Sequence, residues 1–544
     1  MRYLAPTTYY PLSTIYQMPT EKQLLRLILG LFILLGITYA LVTPPFEASD
    51  ELWHYPMIQH LGNGNPLPVQ VYDPAEAGPW KQEASQPPLY YYLGAGLTFW
   101  IDTSDMDTVR WLNPHVDNGV ITADGNTNLA IHPDHFSNWQ GSLLAIRLVR
   151  LASVLLGACT VYLTYLIGKE VAPQRPELAL GAAAINAFTP MFLFISGAVN
   201  NDNLAIPLAS LGVLLLIRLV TRPPQNTKSA AQQTLLFGMV TGLAILTKQG
   251  TFALLPLAGG TFVIYQWVHG REQWQNALPF GAQLRDLGQI LLRASAQFAL
   301  MLLPVVLIAG WWYWRNIQLY GDFLGWSAFI AVLGQRETAA PLAQLWQERW
   351  GFMLSYWGLF GGVNIPMWTW VYYGLNGLVL LAVPGFVVYL VLLGRDWWRD
   401  HGRVILATPA NWLQKTIILL LDFVRDNFGL VVTALFSFGV VYGLIQWATT
   451  TWSSQGRLVF TAISTLNVLF VLGLAGWMPR RWARLALGGV SGFLLVLAAL
   501  APWLFIRPAY LPPALASGET CTAVVCLDES ATFSDHLRLL GYDL

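Results

Sequence analysis

The chain reads as an all-α polytopic membrane protein of about eleven transmembrane helices, with one large loop after the first. Three observations predict this. Of its 544 residues, 55% are hydrophobic and only 11% charged, whereas a soluble protein carries roughly 25% charged residues. Charge-poor runs recur at about the 20-residue length that crosses a ~30 Å hydrocarbon core. The basic residues, finally, divide unevenly between the two alternating sets of loops.

Eleven spans follow in order: 27–46, 151–168, 178–199, 203–217, 230–247, 249–268, 294–314, 369–394, 427–447, 458–477 and 485–505. The stretch 350–394 holds no Asp, Glu, Lys or Arg but is too long for one span. Its Gly- and Trp-rich half, 350–366, is expected to be an interfacial or dipping segment. With the N-terminus cytoplasmic, 19 of the 30 basic residues fall inside, Arg480-Arg481-Trp482-Ala483-Arg484 among them. Short basic loops favour the cytoplasm, so the loop 47–150 and the C-terminus are expected outside a prokaryotic plasma membrane. The 24 Trp and 22 Tyr residues suit two membrane interfaces. A net charge of zero gives no basic field to recruit nucleic acid. Residues 1–23 carry no cleavage pattern, which makes the first span an anchor.

The first loop holds the densest chemistry. Pro44-Pro45-Phe46-Glu47-Ala48-Ser49-Asp50-Glu51-Leu52-Trp53-His54 follows directly on a span. In a helical turn Asp50 and His54 share a face, with Glu51 beside them. Glu83 and Gln86-Pro87-Pro88-Leu89-Tyr90-Tyr91-Tyr92 add a carboxylate and a cluster of aromatics. An acidic loop capping interfacial helices accounts for the same residues. Two amphipathic helices are expected on the outer leaflet, at 50–61 with the stripe Leu52, Trp53, Met57, Ile58, Leu61, and from Pro87-Pro88 to Trp100. His132-Pro133-Asp134-His135 is read as a surface turn rather than a metal site, since no Cys or HExxH spacing supports one.

Beyond that loop, Asn201 and Asp202 follow the third span, either as a capped turn or as a further carboxylate for an outer pocket. Lys248, Arg315 and Arg457 stand at outer ends of spans, where each either snorkels or joins the others in one phosphate site. Cys521 and Cys526 lie in the tail, where an oxidising compartment would allow a bridge. No P-loop, dinucleotide fingerprint or nucleophile elbow is present.

The motifs resemble the GT-C superfamily of membrane glycosyltransferases, over about residues 25–505. They are closest to bacterial relatives of protein O-mannosyltransferases and aminoarabinose transferases, including a group defined only as a domain of unknown function. Five features carry the resemblance: Asp50-Glu51 with His54; Glu83 before Gln86-Pro87-Pro88-Leu89-Tyr90-Tyr91; Asn201-Asp202; Arg315-Asn316 with Tyr320-Gly321-Asp322; and Gln455-Gly456-Arg457. Leu458, Thr461 and Phe323 depart from the residues common beside the last two.

The resemblance implies a GT-C-type bundle and an inverting transfer of a hexose or pentose from a polyprenyl phosphate to a lipid, glycan or protein hydroxyl. It places the catalytic carboxylates at Asp50 and Glu51, and substrate contacts at His54, Glu83, Gln86, Tyr90, Asn201 and Asp202. Lys248, Arg315 and Arg457 would hold the phosphate. No cofactor is implied with certainty; a divalent metal is compatible but not indicated. Residues 1–505 would form the membrane domain, and 506–544 the start of a β-sandwich. The alternative from another class is a transporter or flippase of lipid-linked saccharides. Transporters tend to place charges near the midplane and to show internal repeats, which this chain does not.

Overall fold

The computed structural model describes residues 20–120, 126–132, 138–270, 280–407, 412–511, 525–533 and 537–542. The chain divides into two compact units, 1–509 and 510–544. In the second, the strands Val525–Phe533 and Leu537–Tyr542 pair antiparallel, with an irregularity between Cys526 and Ala531. Cys521, and with it the expected bridge, lies outside the described residues.

The first unit is a helical bundle. Among the described residues nine helices are long and apolar enough to cross a membrane, and the pair Pro176–Phe188 and Pro190–Ser196, bent by 62°, makes a tenth if counted as one span. The bend has a local cause. Pro190 offers no N–H and disfavours helical backbone at the residue before it; Thr189 is extended, with φ −67° and ψ 115°. The remaining expected span, 230–247, forms the helix Thr227–Ile245. Thr227, Lys228, Ser229, Gln232 and Gln233 at its start keep it short of the same apolar measure.

The first loop is built into the protein rather than laid upon it. The helix Glu51–Gly62 buries Leu52, Met57, Ile58 and Leu61, so the stripe expected on the outer leaflet is core. The helix Leu89–Thr98 packs against it: a Cβ at Gly94 would come within 2.6 Å of Ile58 Cδ1. Its other face keeps Tyr92, Leu93 and Leu97 exposed, which fits an interfacial position. Pro56 sits inside the first of these helices, where its missing N–H leaves a carbonyl one turn back without a helical donor. That carbonyl, Leu52 O, instead accepts a hydrogen bond from Arg110 Nε at 3.0 Å.

Residues 350–366 differ from expectation as well. They form the end of the helix Arg349–Trp357 and a tight hairpin pairing Leu359 with Pro366 and Phe360 with Ile365. Phe360 and Ile365 are buried; the segment packs into protein, where its apolar residues find partners as readily as at an interface.

Candidate active site

One cavity of about 850 Å³ opens where the first loop meets the ends of several spans. Asp50, His54, Glu83, Asp202, Lys248 and Arg457 all line it, as do Gln86 and Asn201. The rest of the lining mixes polar side chains, such as Asn118, Asn200, Gln249 and Gln455, with apolar ones that include Phe252, Phe329, Leu333, Val440, Leu444 and Trp447. Two short 3₁₀ helices, Gln249–Ala253 and Gly456–Ala462, lead into spans here. Irregular backbone at membrane depth is tolerated where it lines a cavity.

Asp50 directly precedes the helix Glu51–Gly62. Its Oδ2 accepts from Arg457 Nη2 at 2.7 Å and from Asn200 Nδ2 at 3.3 Å. Burial alone would raise its pKa; Arg457, His54 and Lys248 outweigh that and hold the carboxyl below its usual range. Arg457 also donates from Nε to Gln455 Oε1 at 2.7 Å, while its buried Nη1 meets no acceptor among the described residues. Gly456 is required by space: a Cβ there would lie 2.0 Å from Phe352 O. Its N–H donates to Ser355 Oγ at 2.7 Å, which fixes the backbone that presents Arg457.

His54 Nδ1 lies 2.8 Å from Tyr91 Oη, and that hydroxyl donates to Glu83 Oε2 at 2.9 Å. Tyr91 has one proton, so donating it to Glu83 leaves only acceptance from His54 Nδ1–H. The imidazole is thereby oriented with Nε2 as its uncommitted nitrogen. Burial raises the Glu83 pKa; His54 opposes the shift and Asp50 adds to it. On the opposite wall Lys248 Nζ meets Asp202 Oδ1 at 2.5 Å. Asn200 Oδ1 accepts the Asp202 N–H at 2.8 Å, and Asn201 Nδ2 donates to Gln86 Oε1 at 3.3 Å.

Three residues expected in the site stand elsewhere. Glu51 does not line the cavity; it is sealed in a bidentate pair with Arg150, at 2.5 and 2.9 Å, and accepts from the N–H groups of Phe46 and Val199. Arg150 also donates to Ala40, Thr43 and Pro44 carbonyls. The pair thus joins the end of the first span, the loop helix, the span Gly141–Val171 and the turn before Asn200. Tyr90 is turned away too: its hydroxyl bonds Ser153 Oγ and accepts the Asn200 N–H at 3.1 Å, supporting the turn instead of touching the cavity. Arg315 donates to Pro68 O at 2.9 Å and lies over the Trp312 ring. It anchors the first loop and does not converge with Lys248 and Arg457. In the neighbouring Tyr320-Gly321-Asp322, Asp322 accepts the N–H groups of Trp326 and Ser327 and so caps the helix Trp326–Leu333.

Sequence reasoning missed Arg150, the orienting role of Tyr91, and Asn118, which lines the cavity and donates to Ser49 O at 3.0 Å. An arginine within an apolar helix, as at Arg150, is the signal that could have pointed to a buried pair. Glu47, buried, accepts from Leu129 N, Ala130 N and His132 Nε2 at 2.7 Å; Pro133, Asp134 and His135 lie outside the described residues. Among the described residues no group of three or more His, Cys, Asp or Glu side chains is placed to hold a metal ion.

Residues 99–320 match the family model described as dolichyl-phosphate-mannose-protein mannosyltransferase. The resemblance to the GT-C superfamily of membrane glycosyltransferases is thereby borne out, over about two fifths of the chain. The match includes Asp202, Lys248 and Arg315 but neither Asp50 nor Arg457. A search of curated proteins gives no match. Among solved structures, the oligosaccharyltransferase AglB from Archaeoglobus fulgidus, in complex with an inhibitory peptide and a dolichol-phosphate, is similar at 14% identity and a TM-score of 0.42, over 90% of this chain and 55% of that one. ArnT from Cupriavidus metallidurans, bound to undecaprenyl phosphate, is similar at 10% identity and a TM-score of 0.41, over 89% and 73%. The S. cerevisiae protein O-mannosyltransferase Pmt1-Pmt2 complex, bound to the sugar donor, gives 16% and 0.34, over 56% and 34%. The chain thus spans about half the length of the archaeal oligosaccharyltransferase.

Proposed function

We propose that this protein transfers a sugar, with inversion, from a polyprenyl-phosphate donor to an acceptor hydroxyl at the extracytoplasmic face of the cell membrane. The observation that carries the reading is one cavity lined both by charged side chains, Asp50 against Arg457 among them, and by large apolar side chains from several spans. A polyprenyl chain suits the apolar side chains, and its phosphate the charged ones.

Asp50 is the general base. Oδ2 is engaged by Arg457 and Asn200, which leaves Oδ1 for the acceptor proton. A pKa held below the usual range keeps the carboxylate ionised at neutral pH, and a positioned base accelerates such a step by about 10²–10⁴-fold. Arg457 and Lys248 stabilise charge where it develops on the departing phosphate. His54, Glu83, Gln86, Asn201 and Asp202 face the sugar and the acceptor, holding the two reactants in line.

The test is incubation of purified protein with radiolabelled polyprenyl-phosphate sugars and candidate lipid, glycan and peptide acceptors. Transfer by the wild type, lost in Asp50→Asn, is the expected result. An inert wild type that moves lipid-linked saccharide across proteoliposomes would replace this reading with a flippase.

A further inference from the structure

We propose that Arg457 is a shared counter-ion, held by Asp50 while that carboxylate is ionised and handed to a phosphate monoester as Asp50 takes up a proton. The inference rests on the polyprenyl-phosphate reading above and adds how the site couples its base to its leaving group.

The geometry sets up a competition. The Asp50 side chain is 27% exposed and that of Arg457 only 5%, so an anion entering the cavity meets the carboxylate before the guanidinium. Nε of Arg457 is committed to Gln455, and Nη2 to Asp50. Nη1, a buried cationic nitrogen, has no acceptor among the described residues, although such groups are normally satisfied. The other cation of the cavity, Lys248, is already matched by Asp202. A phosphate therefore gains a full counter-charge by taking over one that a carboxylate already holds, and the unmatched Nη1 of Arg457 points to the one held by Asp50.

The reaction itself releases that charge. The acceptor oxygen bonds to the anomeric carbon as the bond from that carbon to the phosphate oxygen breaks. The electron pair leaves on the phosphate, and the acceptor proton goes to Asp50 Oδ1. A singly charged phosphodiester and an ionised Asp50 become a doubly charged phosphate monoester and a neutral Asp50, with the total charge unchanged. The neutral carboxyl no longer competes, and the guanidinium turns to the phosphate. By reciprocity of linked equilibria, phosphate binding and Asp50 protonation then favour each other. The other groups around Asp50 are His54 on its own helix, Lys248 across the cavity and Glu83 beside His54.

Calorimetry on the purified full chain, with farnesyl phosphate and with inorganic phosphate as probes, tests this. Asp50→Asn is expected to bind farnesyl phosphate about tenfold more tightly than wild type, the scale of one charge-assisted hydrogen bond. In an Arg457→Gln background the same change should alter affinity by less than about threefold. Wild type should also take up protons on binding, read in buffers of different ionisation enthalpy. A cationic site alone makes a phosphate release protons, and His54 and Glu83 also line the cavity, so uptake that persists in His54→Gln and in Glu83→Gln identifies Asp50. No gain in Asp50→Asn, a gain that persists without Arg457, or no proton uptake overturns the hand-over while leaving donor binding intact. Equal binding of both probes with the expected gains upholds the hand-over and removes the lipid from the reading. Binding of neither probe by any variant overturns both.

Discussion

Glu51 and Arg150 close on each other at 2.5 Å between Oε1 and Nη2, each almost wholly shielded from solvent, one residue along the chain from Asp50. Adjacent carboxylates therefore have opposite surroundings: Asp50 faces a cavity, and Glu51 faces a guanidinium that also gathers three backbone carbonyls. The pair holds the fold around the site.

Glu51→Gln should accordingly act on stability. Removing one charge leaves Arg150 buried without its counter-ion, at a cost of about 3–5 kcal/mol. Thermal unfolding in detergent checks this: a large loss of melting temperature is expected for Glu51→Gln. Asp50→Asn, at the cavity wall, should lose activity with a far smaller change.

Glu83 gives a pH dependence of stability. Its folded pKa is raised by burial, so the contribution it makes is fully present below the unfolded value of about 4.3 and is lost as pH rises through the folded pKa. Asp50 runs the other way: its pKa is depressed, and its contribution is present above about 3.9 and lost as pH falls through the folded value. Glu83→Gln keeps an acceptor for Tyr91 and cannot ionise. Its stability should therefore fall less than wild type between about pH 4.3 and neutrality, as measured by denaturation midpoints across that range.

Gly456→Ala should cost more than its single methyl suggests. The new Cβ meets a backbone carbonyl at 2.0 Å, and overpacking of this kind costs typically about 1–3 kcal/mol. The strain falls beside Arg457, so farnesyl phosphate affinity should fall along with melting temperature. A variant as tight and as stable as wild type would show that the close approach to Phe352 is unimportant.

Arg315 and Arg457 should separate cleanly. Arg315→Gln removes a hydrogen bond to Pro68 O and should leave farnesyl phosphate affinity within about threefold of wild type, whereas Arg457→Gln should weaken it about tenfold or more. Binding isotherms for the two variants under one condition decide the matter.

Much of the bundle was legible because a span is a one-dimensional signal: length and apolarity suffice, and each of the eleven stretches lies largely on helix, although 27–46 runs past the helix end at Val42. The partners of charged residues were not. That Asp50, His54 and Glu83 share a cavity could be anticipated from their crowding after one span. Whether Arg315 points to the cavity or to Pro68 depends on the rotation of a helix, which its position at a span end does not encode. Glu51 looked like Asp50 for the same reason, since its partner lies 99 residues away. The segment 350–366 carries neither a helical nor a strand period, so its hairpin left no mark.

The repair at Pro56 bears on how the protein can be recombined. The helix that carries His54 depends for one of its carbonyl bonds on Arg110, and Arg110 also donates to Pro79 O at 3.0 Å. Glu51 is tied to Arg150 further on. The segment from Pro44 to Arg150 is therefore cross-tied within itself as well as to the spans. A chimera that swaps in another homologue's residues 63–120 alone would separate Arg110 from Leu52 O, whereas one that exchanges the whole of 44–150 carries the Leu52–Arg110 and Glu51–Arg150 ties along with it.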